Sequence, residues 1–155
     1  MPTTEQADGE GAVPSEEAFY RDEFTVPEDV IDRNGHVNNV AYVQWMQDAA
    51  VRHFTAVGGV DAMRTAGATW VVRSHRIEYR NPVFAGDRVQ VRTWVVDLRR
   101  VRSLRRYEFV RVTDGAFLAR GETEWVLVDA VSGRPCSIPE ELRRVFTLVP
   151  EEPES

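Results

Sequence analysis

The sequence predicts an α+β fold, in which a five-stranded antiparallel sheet wraps around one long helix. Three observations lead to this prediction. Apolar side chains recur at three- and four-residue steps over residues 39–57, strand-forming residues dominate from Ala68 onward, and turn sequences divide that second part into four segments. Helices segregated from a continuous antiparallel sheet define the α+β class. A chain of 155 residues is long enough for one domain with a substantial core.

Each predicted element is bounded by a recognisable stop signal. The elements are a strand over 18–26, a loop over 27–38, a helix over 39–57, a short helix over 60–66, strands over 69–80, 87–99, 102–113 and 116–129, and a last short helix over 140–146. Pro27 ends the first strand, and Gly58-Gly59 ends the long helix, as glycine does at a C-terminus. Thr113-Asp114-Gly115 predicts a hairpin turn. Alternation within the strands is imperfect, so the sequence leaves open which face of the sheet is buried.

The two ends of the chain differ from its middle in charge. Residues 1–17 and 147–155 are acidic and lack apolar periodicity, which predicts two disordered tails around a domain over 18–146. The formal net charge is -6, but eight of the 25 acids lie in residues 1–18 and 150–155. The 17 remaining acids face 19 arginines, so the middle is mildly basic. This balance gives no indication of a nucleic-acid partner.

Composition also bears on location and cofactors. No apolar run approaches the length of a membrane helix, and the N-terminus lacks the layout of a signal peptide. The single cysteine, Cys136, cannot form an internal disulfide. We therefore expect a cytoplasmic protein that has no membrane partner. His53 and His75 lack a cysteine or carboxylate at ligand spacing, so we expect no metal site and no cofactor.

One loop concentrates chemically active residues directly before the long helix. It reads Asp32-Arg33-Asn34-Gly35-His36-Val37-Asn38-Asn39. Asn38 and Asn39 are both residue types that cap helices, because a short side-chain oxygen accepts unpaired N–H groups of the first turn. The start of a helix also carries partial positive charge and free N–H donors, which can polarise a carbonyl oxygen. The sequence therefore predicts a site to which this loop delivers Asp32 and His36.

Apolar surface predicts a second copy of the chain. The predicted buried face of the helix consists of Val40, Val43, Met46 or Gln47, Ala50, Phe54 and Val57. The strands add large aromatic residues, namely Trp70, Trp94, Tyr107, Phe109 and Trp125. One helix cannot cover that area, and an exposed apolar patch predicts a partner, most economically in a two-fold homodimer.

These features resemble the hot-dog fold thioesterases, above all the 4-hydroxybenzoyl-CoA thioesterase family and its acyl-CoA thioesterase relatives. The resemblance spans residues 18–146 and rests on four features: Asp32 three residues before Gly35, Tyr42 ten residues after the aspartate, the strand end Ile77-Glu78-Tyr79-Arg80-Asn81-Pro82, and Gly86-Asp87 before a strand. It implies a single hot-dog domain that forms a dimer or a dimer of dimers. It also implies hydrolysis of an acyl-CoA substrate in a pocket that the partner subunit closes.

A second resemblance concerns the amino-acid sequence of the loop itself. Residues 32–39 look like the D-x-N-x-H-V-N-N sequence of acyl-ACP thioesterases, which are also hot-dog proteins. Those enzymes carry a glutamate-cysteine pair after E-Y-R, where this chain has Pro82 and Val83. They are also longer, with a second hot-dog repeat. This departure argues against an acyl-ACP mechanism, so acyl-CoA hydrolysis is the expected activity and an acyl-ACP thioesterase is an alternative.

Thioester hydrolysis requires stabilisation of the oxyanion and a group that attacks the carbonyl carbon or activates water. The resemblance assigns the first role to the backbone N–H of Asn39. Asp32 takes the second role, as a general base or as a nucleophile that forms a mixed anhydride, and we expect its carboxylate to face a cavity shared between subunits. The alternative for Asp32 is structural, as acceptor for the N–H groups of Asn34 or Gly35.

Four neighbouring residues have two interpretations each. His36 orients water, accepts a proton or contacts the thioester sulfur, or else locks the loop against the helix. Asn34 orients Asp32 or the water, or else makes a local turn bond. Asn38 is a cap or a substrate contact, and Tyr42 lines the acyl pocket or packs against the sheet.

An arginine cluster lies at the turn between two predicted strands and consists of Arg99, Arg100, Arg102, Arg105 and Arg106. CoA carries a 3'-phosphate and a pyrophosphate, both of which suit the planar guanidinium group. We therefore expect Arg99 and Arg102 to bind substrate. A solvated, charged hairpin is the alternative.

Two other functions fit the same fold. A hot-dog hydratase acting on enoyl-CoA also pairs aspartate with histidine, but in a D-x-N-P-x-H sequence that places the histidine one residue later than His36. A non-catalytic binder of acyl-CoA or acyl-ACP is the rival from another class, because a fold does not determine a function.

Overall fold

The computed structural model describes residues 18–151, and its elements follow the predicted order. The elements are β1 (Tyr20–Thr25), a short 3-10 helix (Glu28–Val30), α1 (Asn39–Ala56), α2 (Gly59–Ala66), β2 (Ala68–Tyr79), β3 (Arg88–Arg99), β4 (Arg102–Arg111), β5 (Phe117–Asp129) and α3 (Glu140–Arg143). The largest difference is in α3, which ends at Arg143 rather than at residue 146. The disorder predicted for 1–17, and for 152–155 within the second predicted tail, lies outside the described residues. Chain 147–151 runs beside the sheet, where the Val149 N–H donates to the carbonyl of Val95 at 2.8 Å.

The sheet has five strands in the order β1-β3-β4-β5-β2, and each neighbouring pair is antiparallel. Consecutive strands β3, β4 and β5 form a meander. β2 precedes them in the chain but pairs with the far side of β5, so β1 and β2 are the two edges. The predicted antiparallel five-stranded sheet with a long helix is confirmed.

Register shifts explain why strand alternation was unclear in the sequence. The pairing shifts between Val95 and Asp97 of β3, and Val95 and its neighbour Val96 are both buried. Further shifts occur in β2 and between β4 and β5. A bulge inserts an extra residue into one strand and so reverses the apparent parity beyond it.

The helix buries a face that is rotated from the predicted one, and Met46 and Ala50 are the predicted residues that are buried. Its buried residues are Ala41, Tyr42, Met46, Ala49, Ala50 and His53. Val40, which the apolar pattern assigned to the core, is 77% exposed. The face is rotated because small residues and a histidine, rather than the valines, contact the sheet. Gly121 of β5 makes room for this approach, since a Cβ there would lie 2.9 Å from the sulfur of Met46.

A buried arginine lies in the core beside the helix. Arg105 of β4 is 3% exposed, and its Nη1 donates to Nδ1 of His53 and to Oγ1 of Thr93, both at 3.0 Å. Burial and the neighbouring guanidinium lower the pKa of His53 to about 4. The imidazole is therefore neutral near pH 7, with Nδ1 as a hydrogen-bond acceptor.

This arrangement predicts a pH-dependent stability. The pKa of His53 lies near 4 in the folded chain against an ordinary 6.5, so the unfolded chain binds the proton more readily between these values. The free energy of unfolding should therefore fall as the pH is lowered through that window, by about 3 kcal/mol from this residue. His53→Gln, which keeps an acceptor but does not titrate, should remove that part of the slope in urea unfolding at fixed protein concentration. Parallel pH profiles for the variant and the unaltered chain would contradict this assignment.

Candidate active site

Backbone hydrogen bonds fold the loop before α1 into a tight turn. The N–H of Asp32 donates to the carbonyl of His36 at 2.8 Å, and Gly35 donates back to Asp32 at 3.0 Å. Oδ1 of Asp32 accepts the N–H groups of Asn34 at 2.8 Å and His36 at 3.2 Å. Gly35 has a positive φ of 81°, which glycine adopts without strain. The structural role considered for Asp32 is thus present, with Asn34 and His36 as the donors.

The second carboxylate oxygen of Asp32 is not used in this turn. Among residues 18–151, none donates a hydrogen bond to Oδ2. One oxygen therefore orients the carboxylate and the other is available to a ligand or a water. A local structural role and a chemical role are compatible in this geometry.

The start of α1 lies next to the turn. The Oδ1 of Asn38 caps the helix by accepting the N–H of Ala41 at 2.8 Å. The N–H groups of Asn39 and Val40, at the first two helical positions, have no acceptor in the described part of the chain, and both residues are exposed. The Asn38 side chain is therefore a cap, and two free donors at the positive end of the helix face solvent.

The connection between β2 and β3 holds the loop in place. Val37 donates its N–H to the carbonyl of Val83 at 2.9 Å, and Asn38 donates to Val30 at 2.8 Å. The exposed ring of His36 packs edge-on against Phe84, with centroids 5.4 Å apart. Its ring nitrogens make no hydrogen bond to any residue of 18–151. The contribution of Val83 and Phe84 could not be predicted from the sequence, because a contact between distant loops has no local sequence signal.

The single chain does not enclose the Asp32 carboxylate. Asp32 is exposed, and no residue of its turn lines either of two cavities found in the described chain. The expectation that Asp32 faces a cavity shared between subunits thus depends on a second copy and stays a prediction.

Tyr42 occupies the core rather than an open pocket. It is buried, and its ring contacts Tyr79 at 5.3 Å and Phe109 at 5.1 Å between centroids. Burial is the main cause that raises the pKa of its hydroxyl above the ordinary value. The structure thus has the sheet-packing arrangement, and contact of Tyr42 with substrate stays a prediction.

The arginine cluster divides between the two faces of the sheet. Arg99 pairs with Asp97 at 3.2 Å and Arg102 with Glu124 at 2.8 Å, both on the exposed β3–β4 hairpin. This hairpin is at the opposite end of β3 from the loop of Asp32, on the order of 30 Å away. Within one chain the two regions do not meet, so phosphate binding by Arg99 and Arg102 stays a prediction.

Arg105 differs from these hairpin arginines because it points into the core. It shares strand parity with Tyr107 and Phe109, which are fully buried. That parity was the sequence signal for an inward orientation. No group of three or more His, Cys, Asp or Glu residues within 18–151 is arranged to hold a metal ion. Among the helices of the same range, none combines the length and apolar character that a bilayer crossing requires.

Comparison with solved structures identifies the fold. A 1,4-dihydroxy-2-naphthoyl-CoA thioesterase from Synechocystis is 18% identical, with a TM-score of 0.73 over 83% of this chain and 95% of that one. A 12:0-ACP thioesterase from Umbellularia californica is 22% identical, with a TM-score of 0.76 over 84% of this chain and 51% of that one. A Staphylococcus aureus protein solved in complex with CoA is 16% identical, with a TM-score of 0.74 over 86% and 83% of the two chains. These similarities show the hot-dog fold.

Comparison of sequences identifies the family. No curated protein matches this sequence significantly. The sequence model of the thioesterase-like superfamily, in contrast, matches residues 25–146. That range includes the loop of Asp32, the long helix and all strands but the first. The chain belongs to the thioesterase-like superfamily.

Proposed function

We propose that the chain hydrolyses an acyl-CoA thioester, with Asp32 and the start of α1 as its chemical groups. The observation that carries this proposal is the pairing of an oriented carboxylate that has one unused oxygen with the two free N–H donors of Asn39 and Val40. His36, which ends the turn, and Asn39, which begins the helix, are three residues apart in the sequence. Three residues of extended chain span on the order of 10 Å. The thioesterase-like superfamily supports the reaction type. The CoA complex and the CoA thioesterase among proteins of the same fold support the choice of carrier.

In the proposed reaction the substrate carbonyl oxygen accepts a hydrogen bond from the Asn39 N–H. Water then adds to the carbonyl carbon while the Asp32 carboxylate takes its proton, or the carboxylate itself adds to form a mixed anhydride that water opens. In either route the C–S bond breaks when the first tetrahedral intermediate collapses, which in the second route forms the anhydride before water opens it, and the CoA sulfur leaves with a proton. His36 is adjacent, with unpaired ring nitrogens, and is the candidate to deliver that proton.

A second copy of the chain is proposed to close the site. β2 is an edge strand of 12 residues, twice the length of the other edge, β1. Long exposed edges favour pairing with another strand. Exposed apolar residues Val71 and Tyr79 lie on β2, and Val40 and Phe84 lie near the candidate site. We therefore propose a two-fold dimer formed through β2, which would cover an acyl group held at the start of α1.

Asp32→Asn should lower kcat at least about 10²-fold, because the amide cannot take the proton or add to the carbonyl. It keeps an oxygen that can accept the N–H groups of Asn34 and His36, so the fold should be retained. The measurement is thiol release from the best substrate in a panel of aryl, short, branched and long acyl-CoA esters. Asp29→Asn, the same change at an exposed acid three residues earlier, is the matched control. Undiminished turnover by Asp32→Asn would refute the mechanism, and tight acyl-CoA binding without thiol release by the unaltered chain would indicate a binding protein.

Asn39→Pro should remove the proposed oxyanion donor while the helix remains intact. Proline lacks the N–H but is well tolerated at the first helical position. Asn38 before it is already extended, at φ -75° and ψ 158°, as a residue preceding proline prefers. We expect kcat to fall about 10²–10³-fold, whereas Asn39→Ala, which keeps the N–H, should retain activity. Equal rates for the two variants would exclude this N–H as the donor.

Val71→Lys should weaken the proposed dimer, because an exposed lysine on an edge strand opposes strand pairing. Val112→Lys is the control, since Val71 is 42% exposed and Val112 44%. Light scattering across a concentration series should give twice the chain mass for the unaltered protein and the control, and a shift to one chain mass for Val71→Lys. A dimer unaffected by Val71→Lys would place the interface elsewhere.

A further inference from the structure

A cavity of about 220 Å³ lies at the other end of α1 from the candidate active site. Its walls are lined by Ala50, Val51, Phe54, Val60, Met63, Thr69, Trp70, Val95, Ser103, Arg105, Trp125 and Phe146. The helical wall begins 11 residues after Asn39, which corresponds to about 16 Å along the helix. Within one chain, a ligand in this cavity and a thioester at the start of α1 are therefore separate.

The cavity contains a cation that no acid neutralises. The guanidinium of Arg105 donates hydrogen bonds only through Nη1, toward His53 and Thr93, and its carbon lies over the ring of Phe146, 5.5 Å from the centroid; none of these groups carries negative charge. Within residues 18–151, Nε and Nη2 of Arg105 make no hydrogen bond and no ion pair. By contrast, the adjacent Arg106 on the outer face pairs with Glu122 at 3.2 Å. Burying an unpaired charge is costly, so such a group normally has a counter-charge.

A second donor, the indole N–H of Trp125, belongs to the same cavity. Its Nε1 is buried and makes no well-formed hydrogen bond in the described part of the chain, and its polar neighbour is the hydroxyl of Tyr107, with which it has a weak electrostatic contact. Buried N–H groups without a partner are rare, because their lost hydration is not replaced. The cavity is thus lined by the unused guanidinium nitrogens of Arg105 and a weakly bonded indole N–H, and none of its lining residues is an acid.

The remaining lining residues determine what can accompany a negative charge. Phe54, Trp70 and Phe146 are aromatic, and the side chains around them are mostly aliphatic. Aromatic walls favour an aromatic ligand through edge and offset stacking. A cavity of about 220 Å³ exceeds the ~150 Å³ apolar cavity that holds benzene, which leaves room for a ring with a short polar extension.

We propose that this cavity binds an aromatic monocarboxylic acid, with its carboxylate on the two unused nitrogens of Arg105 and near the Trp125 N–H, and its ring among Phe54, Trp70 and Phe146. The planar guanidinium presents two parallel N–H groups, which match a carboxylate in a bidentate pair. Burial strengthens that pair, because little solvent competes for the charge. The binding does not depend on the proposed thioesterase activity.

The test compares trans-cinnamate with trans-cinnamamide, which has the same ring and length but no charge. Isothermal titration of the full chain at pH 7 should give a dissociation constant at least tenfold lower for cinnamate. Arg105→Gln should abolish this preference. Arg120→Gln, which removes one positive charge from an exposed position on the outer face of the sheet, should leave it unchanged.

Three results would overturn the proposal: equal affinity for acid and amide, no cinnamate binding at all, or an undiminished preference in Arg105→Gln. Circular dichroism shows whether Arg105→Gln is folded. Should that variant fail to fold, Trp125→Phe provides the test, because it keeps an aromatic ring and removes only the N–H. A severalfold loss of the preference for cinnamate in Trp125→Phe supports the proposal, and an unchanged preference overturns it.

Discussion

The geometry of the candidate site depends on a small set of backbone hydrogen bonds that hold the loop before α1. Val37 and Asn38 donate to carbonyls of two different segments, and Asp32 is bonded across the turn to His36. Both arms of the loop are thereby fixed relative to the first turn of the helix. The carboxylate and the free N–H donors accordingly have a set separation before any ligand arrives. Preorganised groups of this kind stabilise developing charge without reorganising during the reaction.

The sequence was sufficient for the order, type and approximate bounds of the elements, because those depend on local signals. Gly58 and Gly67 end α1 and α2 with left-handed conformations that glycine tolerates, and Asn38 caps α1 as its residue type predicts. The loop of Asp32 was also identifiable, since five polar residues precede a helical pattern. The anchoring of that loop by the carbonyl of Val83 could not be identified, because Val83 is far away in the sequence.

What the sequence could not reveal depends on tertiary packing. Bulges in β2 and β3 change strand parity without a composition signal, so the buried face was undefined. The valines of α1 suggested a core face that the structure leaves partly exposed, because close approach to the sheet favours Ala41 and Ala49. In the sequence, Arg105 is part of an arginine cluster that a solvated hairpin would explain. In the folded sheet its side chain is on the buried face, away from the other arginines of the cluster.

The contact between Gly121 and Met46 has a consequence for the distant loop. Met46 is fully buried, so any side chain at position 121 requires either a rearranged thioether within a filled core or a displaced helix. The contact lies seven residues from Asn39, about 10 Å along the axis. Displacement of α1 at Met46 would also shift the N–H groups of its first turn. The absence of a side chain at position 121 of β5 therefore helps to set the position of the helix start relative to the loop of Asp32.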